Sequence, residues 1–240
     1  MSIIPNLITL GNLFCGILAI TADKTEWALG FIFLAAVLDF FDGLVARALG
    51  VSSEMGKQLD SLADVVSFGV APAILVQRFL MLFISPVSIM EYILVYSPYL
   101  LAIAGAWRLA RFNIDPSQSS YFKGLPIPAN GFFWIGFLMI FDPKNPISAD
   151  LTLIIPLTFI MVLVLALVMV SKLKLLNFKV KHIGFKGNEA RYVLLILGAF
   201  ISIYAINIER AFLAIPAVLL LYIVISTIHY YILHKNEVQS

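Results

Sequence analysis

Charged residues are scarce in this sequence, because Asp, Glu, Lys and Arg together make up 12% of its 240 residues. A soluble domain typically has about 25% charged residues. With a hydrophobic content of 61%, the chain has too few polar groups to cover its own apolar surface in water. A soluble fold is therefore excluded, and the mean hydropathy of +0.99 predicts that lipid is the solvent of the chain.

Cysteine and histidine are also scarce, with one Cys and three His in the whole chain. The single cysteine, Cys15, excludes a disulfide framework and a cysteine-based metal site, and its apolar surroundings favour a buried side chain. The net charge of +2 is too small to predict a nucleic-acid partner. Residues 1–14 contain no Lys or Arg, so they lack the basic start of a cleaved signal peptide and we expect them to be retained.

Long apolar runs account for most of the chain. A helix needs about 20 apolar residues to cross the hydrocarbon core of a bilayer. The polar breaks divide the sequence into segments at 6–22, 27–48, 61–84, 92–113, 127–141, 151–171, 192–206 and 211–233. The sequence therefore predicts an all-α integral membrane protein with about eight transmembrane helices, in one domain over residues 1–240.

The basic residues lie mostly on one side of these predicted spans. The opposite side has only Lys24, Lys144 and Arg210, and Arg78 lies inside the third span toward that end. The basic side has Arg47, Lys57, Arg108, Arg111, Lys123, Lys172, Lys174, Lys179, Lys181, Lys186, Arg191 and Lys235. Cytoplasmic loops carry the excess of Lys and Arg, so we expect both termini in the cytoplasm of a cell-membrane protein. The basic loop 172–191 serves either this topology alone or the attraction of anionic headgroups or a diphosphate.

Four aspartates are exceptional because they lie within or beside apolar runs. Asp39 and Asp42 lie inside the run FIFLAAVLDFFDGLVARAL, and Asp60 and Asp64 open the next span. An ionised Asp at the centre of a membrane helix costs about 2.5–3.5 kcal/mol. Because neighbouring carboxylates also repel one another, we expect a cation to compensate for them.

The spacing of these aspartates predicts one shared site. Residues three or four apart share a helix face, and the short connection 48–58 makes the two helices antiparallel neighbours. Carboxylate oxygens without nearby His or Cys favour Mg²⁺, Mn²⁺ or Ca²⁺. Two such ions are the usual arrangement for in-line displacement at phosphorus. Ion pairing with Arg47 and Lys57 is the alternative, but it would leave two of the four carboxylates uncompensated.

Small residues surround the aspartates, namely Gly43, Ala46 and Gly56. A glycine within a helix costs about 1 kcal/mol relative to alanine, so its presence calls for a reason. Close approach of a flat base or a diphosphate to the backbone is one reason, and helix packing is the alternative. Arg47 can then bind a phosphate through two parallel hydrogen bonds.

The CDP-alcohol phosphotransferase family has a signature that resembles the pattern Asp39-x2-Asp42-Gly43-x2-Ala46-Arg47-x8-Gly56-x3-Asp60-x3-Asp64. The resemblance implies a six-helix catalytic core and a homodimer. It further implies two divalent metal ions held by the four aspartates and a CDP moiety lying over Gly43 and Ala46. Asp64, the last aspartate, would be the general base.

Three further segments resemble the phosphatidylserine synthase branch of that family. They are IPNLITLGNLFCGILAI (4–20), WRLARFN (107–113) and FKGLPIPANG (122–131). This resemblance implies transfer of a phosphatidyl-type group from CDP-diacylglycerol or CDP-archaeol to L-serine, with CMP as the second product. Glycerol phosphate, inositol phosphate or an aminoalcohol is the alternative acceptor. A divalent-metal transporter is an alternative of another class, but it would not require the small residues or Arg47.

Serine as acceptor predicts cationic and polar partners on the cytoplasmic side, in the acceptor-side segments within 107–131. Arg111 and Lys123 are candidates for its carboxylate, and Asn113 and Asn130 can orient its polar groups. The alternative for the two cations is an ordinary place in the positive cytoplasmic boundary.

Near the N-terminus, Asn6 and Thr9 are polar and one turn apart. Contact with the cytidine is one interpretation of this pair, and a helix start after Pro5 is the other.

Overall fold

The computed structural model describes residues 3–51, 53–115, 122–141, 151–176, 184 and 188–239. Its helices are α1 (Ile3–Thr21), α2 (Thr25–Ala48), α3 (Glu54–Asp64), α4 (Ala71–Met81), α5 (Ile89–Tyr96), α6 (Tyr99–Ile114), α7 (Ile127–Ile140), α8 (Leu151–Val170), α9 (Glu189–Asn207) and α10 (Ala214–Gln239). A π-helical turn, Val65–Val70, joins α3 to α4, and a 3-10 turn, Ala211–Leu213, precedes α10. Two short strands, β1 (Phe122–Lys123) and β2 (Lys174–Leu175), pair antiparallel. The predicted all-α architecture is confirmed.

Within the described residues, six helices are long and apolar enough to cross a membrane, and the pair α5 and α6 is a seventh if counted as one span. Helix α7 has 14 residues and is about 21 Å long, which is shorter than a hydrocarbon core of about 30 Å. The chain is therefore an integral membrane protein. The count of eight spans and the cytoplasmic termini stay predictions, and Lys144, Lys179, Lys181 and Lys186 lie outside the described residues.

Two predicted spans differ from the helices of the structure in their bounds or continuity. The span predicted at 61–84 begins earlier, at Glu54, because the hydroxyl of Ser53 accepts a hydrogen bond from the Gly56 N–H (3.0 Å) and caps the helix. The segment predicted as one span at 92–113 is divided into two helices, α5 and α6, which are bent by 46° relative to each other, and its status as a single span stays a prediction. Pro98 lies at this break, and proline cannot donate a backbone hydrogen bond to the preceding turn.

The turn between α2 and α3 reverses the chain within a few residues. Gly50 has a φ of +63°, a conformation that favours glycine. The N–H groups of Gly50 and Val51 donate to the carbonyls of Arg47 (3.2 Å) and Ala46 (3.0 Å), which is the Schellman pattern. The turn therefore places the C-terminal end of α2 next to the start of α3.

Helix α1 packs against both α2 and α3, and these two helices contact α1 more than each other. Arg78, at the end of α4, donates hydrogen bonds to the carbonyls of Ile20 (2.6 Å) and Ala22 (3.2 Å). These carbonyls lack helical partners at the end of α1, so Arg78 fixes that end of the helix. Because α1 packs against both α2 and α3, the two aspartate-bearing helices are separated, and α1 lies beside the space between them.

The π-helical turn directly follows Asp64 and is fixed by neighbouring helices. A π turn breaks the regular backbone ladder and is often found at functional sites. The Ser67 hydroxyl donates to the Asn12 carbonyl of α1 (3.0 Å), and Asn130 of α7 donates from Nδ2 to the Phe68 carbonyl (3.3 Å). The direction in which Asp64 projects therefore depends on both α1 and α7.

Gly16 allows α1 to approach this turn closely, because a Cβ at position 16 would lie 2.9 Å from the Ser67 Cα. Overpacking of this kind costs about 1–3 kcal/mol, so we expect Gly16→Ala to lower the thermal unfolding midpoint in detergent by about 2–10 °C. Gly30→Ala is the matched control, since no atom lies within 4 Å of its added Cβ. Equal midpoints for the two variants would contradict the close approach of α1.

Candidate metal and nucleotide site

Three of the four predicted aspartates meet in space. One carboxylate oxygen from each of Asp39, Asp42 and Asp60 lies within 4.8 Å of the others. Asp42 is buried, and Asp39 and Asp60 are half-buried. The ion pair found among the described residues joins Lys123 to Asp115, so neither predicted basic partner neutralises the group. Closely spaced carboxylates without a cationic side chain fit a hard divalent ion.

Asp64 lies next to this group and deeper in the protein. It is 7% exposed, and its Oδ1 has no hydrogen-bond partner among the described residues. It interacts electrostatically with Asp39, Asp60 and Asp42, and it faces Asn12 of α1. The amide of Asn12 is fully buried and likewise has no partner in this part of the chain. A buried carboxyl beside a carboxylate cluster is suited to accept a proton, and its part as a metal ligand stays a prediction.

Thr9 connects α1 to the cluster. Its hydroxyl lies 2.5 Å from Oδ2 of Asp42 and 3.1 Å from the Pro5 carbonyl. Thr9 and Asp42 are both buried. A hydrogen bond from a second residue fixes the orientation of a metal-binding carboxylate. Thr9 was predicted to contact the cytidine, and the structure adds a direct contact with the Asp42 carboxylate.

A cleft of about 270 Å³ opens beside the carboxylates. Its lining residues are Pro5, Asn6, Thr9, Asp42, Gly43, Ala46, Val51, Ser53, Gly56, Lys57 and Asp60. The structure thus brings together two of the aspartates and nearly all the predicted CDP-binding residues. Four lining residues were not among the predicted metal- or nucleotide-binding residues, namely Pro5, Val51, Ser53 and Lys57, although Ser53 carries the signal of a helix cap.

The two glycines of the cleft have no side chains that would narrow its opening. A Cβ at Gly43 would lie 3.3 Å from Nη1 of Arg47, and a Cβ at Gly56 would lie 3.2 Å from Oδ1 of Asn6. The exposed Arg47 side chain thus folds back over Gly43, beside the cleft. Larger residues at these positions would displace the polar groups that surround the opening.

The predicted serine-binding residues all contact other parts of the protein. Lys123 pairs with Asp115 (2.7 Å), and Arg111 donates to the Val170 carbonyl (3.3 Å). None of the four lines the cleft. Their role in serine binding stays a prediction, but their side chains have structural contacts as well.

The two asparagines of this set are part of helix-to-helix links. The side-chain amide of Asn113 donates to the Ser61 hydroxyl (2.9 Å), and the backbone carbonyl of Asn113 accepts from Nζ of Lys57 (2.8 Å). Both bonds join α6 to α3. Asn130 is fully buried and accepts a hydrogen bond from Nε1 of Trp134 (3.2 Å), besides its bond to the π turn. These contacts fix the helices around the aspartates.

The bond between Thr9 and Asp42 can be tested without activity. Outer partners of metal ligands are typically worth 10- to 100-fold in metal affinity, so we expect Thr9→Val to weaken Mn²⁺ binding by about tenfold. The measurement is a Mn²⁺ titration of the purified protein, followed by electron paramagnetic resonance of the free ion. Thr21→Val is the control, because that hydroxyl is exposed and, among the described residues, bonds to the Ile17 and Leu18 carbonyls of its own helix. Unchanged affinity in Thr9→Val would show that Thr9 does not support the site.

Comparison with known proteins agrees with this geometry. The chain is 40% identical over 188 residues to the CDP-diacylglycerol--serine O-phosphatidyltransferase of Bacillus subtilis, which covers 76% of this chain and 94% of that protein. The protein of the same name from Methanocaldococcus jannaschii is 36% identical over 139 residues, or 58% of this chain and 62% of the relative. A third, from Helicobacter pylori, is 33% identical over 180 residues, covering 73% and 72%.

The family model described as CDP-alcohol phosphatidyltransferase matches residues 2–228, which is most of the chain. The matched range includes the three clustered aspartates, the cleft and Asp64. This protein belongs to the CDP-alcohol phosphatidyltransferase family.

Proposed function

We propose that this protein transfers the phosphatidyl group of CDP-diacylglycerol, or of an ether-linked counterpart such as CDP-archaeol, to the hydroxyl of L-serine and releases CMP. The observation that carries the chemistry is the group of three carboxylates within 4.8 Å beside a glycine-walled cleft. The choice of serine is supported by the names of the relatives, at 33–40% identity.

Two divalent cations, Mg²⁺ or Mn²⁺ and alternatively Ca²⁺, would be held by Asp39, Asp42 and Asp60, with Asp64 as a further ligand. When bound, such ions neutralise the diphosphate and stabilise the charge that develops on the departing CMP. The carboxylate oxygens and the lack of a cationic partner among the described residues support this assignment.

The protein residues divide the remaining work. Gly43, Ala46 and Gly56 admit the cytidine diphosphate close to the backbone, and Arg47 binds a phosphate at the edge of the cleft. Asp64 accepts the proton of the acceptor hydroxyl, whose oxygen then forms a bond to the lipid-bearing phosphorus. The bond from that phosphorus to the oxygen of CMP breaks. The apolar helices around the site exclude water, which limits hydrolysis.

The proposed reaction takes place at the interface between the membrane and water. We propose a cell-membrane location with the cleft facing the cytoplasm, because most Lys and Arg residues lie on that side of the spans. The lipid tails of the donor then extend into the bilayer. A homodimer and a single domain over 1–240 are further parts of this proposal, and the resemblance to the family supports them.

The acceptor is tested by screening the purified wild-type protein. With CDP-diacylglycerol and Mn²⁺ we expect CMP release with L-serine to exceed that with ethanolamine, glycerol 3-phosphate or inositol phosphate. Chromatography of the labelled lipid product identifies the acceptor that was used. Better turnover with any other acceptor would refute the serine assignment, and metal uptake without CMP release would favour a transporter.

The roles of two neighbouring aspartates can be separated. A general base contributes about 10²- to 10⁴-fold to the rate, so Asp64→Asn should lose turnover by that factor while it still binds Mn²⁺ and the CDP-lipid. Asp60→Asn should lose both metal binding and turnover, because it removes a member of the carboxylate group. Asp23→Asn, outside the group, is the control. Equal losses of binding and turnover in Asp64→Asn would show that Asp64 is mainly a ligand.

A further inference from the structure

Arg108 of α6 is a buried cation that forms no ion pair with the residues that the structure describes. Arg108 is 7% exposed, and its Nε has no hydrogen-bond partner among the described residues. Its Cζ lies 5.9 Å from the ring centroid of Phe112, and it interacts electrostatically with Asp64 and Tyr222. A buried charge is unfavourable unless it is paired and hydrogen-bonded. We therefore expect an anionic partner for Arg108 in the working state of the protein.

The opposite charge is close but does not touch it. Asp64 is equally buried, and its Oδ1 also has no partner in the described part of the chain. No nitrogen of Arg108 lies within the 4.0 Å of an ion pair from an Asp64 oxygen. A direct pair would satisfy both groups, yet the helices hold them apart. This separation suits a small molecule with an anionic group at one end and a hydroxyl at the other.

Helix α10 completes the surroundings of Arg108. Tyr222 of α10 interacts electrostatically with Arg108, is buried, and donates its hydroxyl proton to the Leu176 carbonyl (2.9 Å). Ser226, one turn further along α10, is 1% exposed, and its hydroxyl has no partner among the described residues. Three side chains near Asp64 or Tyr222 therefore have unsatisfied polar atoms, besides the carboxyl of Asp64 itself: Asn12, Arg108 and Ser226.

We propose that Arg108 binds the carboxylate of the acceptor amino acid while Asp64 receives its hydroxyl, and that Tyr222 and Ser226 close this subsite. The inference rests on the proposed function. Arg108 is favoured over Arg111 and Lys123 because those two cations already contact a carbonyl and a carboxylate of the protein. An aminoalcohol without a carboxylate would leave Arg108 unpaired and add a second positive charge beside it. Arg108 is thus a specificity-determining residue.

The test compares Arg108→Gln with Arg111→Gln, using L-serine and serinol as acceptors. Serinol keeps the ammonium and a hydroxyl but has no carboxylate. A hydrogen bond to a charged group corresponds to about a ten- to hundredfold change in binding. We expect Arg108→Gln to raise the KM for serine by that factor, to leave the KM for CDP-diacylglycerol within about twofold, and to raise the serinol-to-serine activity ratio.

Controls separate binding from folding. Arg210→Gln makes the same change at an exposed arginine of the α9–α10 connection and should alter neither KM. Arg108→Lys keeps the charge, so its KM for serine should fall between those of the wild type and Arg108→Gln. Thermal unfolding and Mn²⁺ binding of each variant report whether the fold is intact.

Two outcomes would overturn the assignment of Arg108 alone. One is an equal loss of turnover with serine and serinol in Arg108→Gln and Arg108→Lys, which indicates a structural role. The other is a serine-selective loss in Arg111→Gln but not in Arg108→Gln. A wild-type protein that releases CMP with another acceptor but not with serine would instead refute the proposed function.

Discussion

Electrostatic repulsion among carboxylates inside a membrane protein is the constraint on which this structure depends. Asp39, Asp42 and Asp60 bring their oxygens within 4.8 Å of one another, and in the described residues no Lys or Arg forms an ion pair with them. Such a cluster is unfavourable in an apolar environment unless a cation enters. Before the cation binds, the scaffold must therefore hold the carboxylates together through the packing of the surrounding helices, apart from the side on which the cleft opens.

Helix α1 provides much of that rigidity. It packs against both aspartate-bearing helices, orients Asp42 through Thr9 and holds the π turn after Asp64 through Ser67. Lipid tails are as apolar as the side chains they surround, so helices in a bilayer associate through close packing and hydrogen bonds. The contact between α1 and the π turn has both features, close packing at Gly16 and the hydrogen bond from Ser67 to the Asn12 carbonyl. The position of Asp64 thus follows from packing that lies outside its own helix.

Local spacing explains which parts of the site the sequence could predict. Asp39, Asp42 and Asp60 lie on two consecutive helices joined by a short turn, so their meeting follows from helix geometry. The break at Pro98 has a local cause in the missing N–H of proline, whereas the burial of Arg108 depends on packing between distant segments, which no spacing reports. Arg108 and Arg111 are one turn apart in WRLARFN, and only the fold distinguishes the buried side chain from the one that bonds to Val170.

The two halves of the site therefore differ in how they are encoded. The nucleotide half comes from α1 and the continuous motif of α2 and α3, so the signature specifies all of it except Pro5, Asn6 and Thr9 of α1. The acceptor half, if Arg108 forms it, needs α6 and α10, which are brought together only by long-range packing. Substitutions in α10 can then alter the acceptor subsite without disturbing the aspartates. This separation gives a physical reason why one catalytic motif can serve several acceptor alcohols, with selectivity set by helices outside the motif.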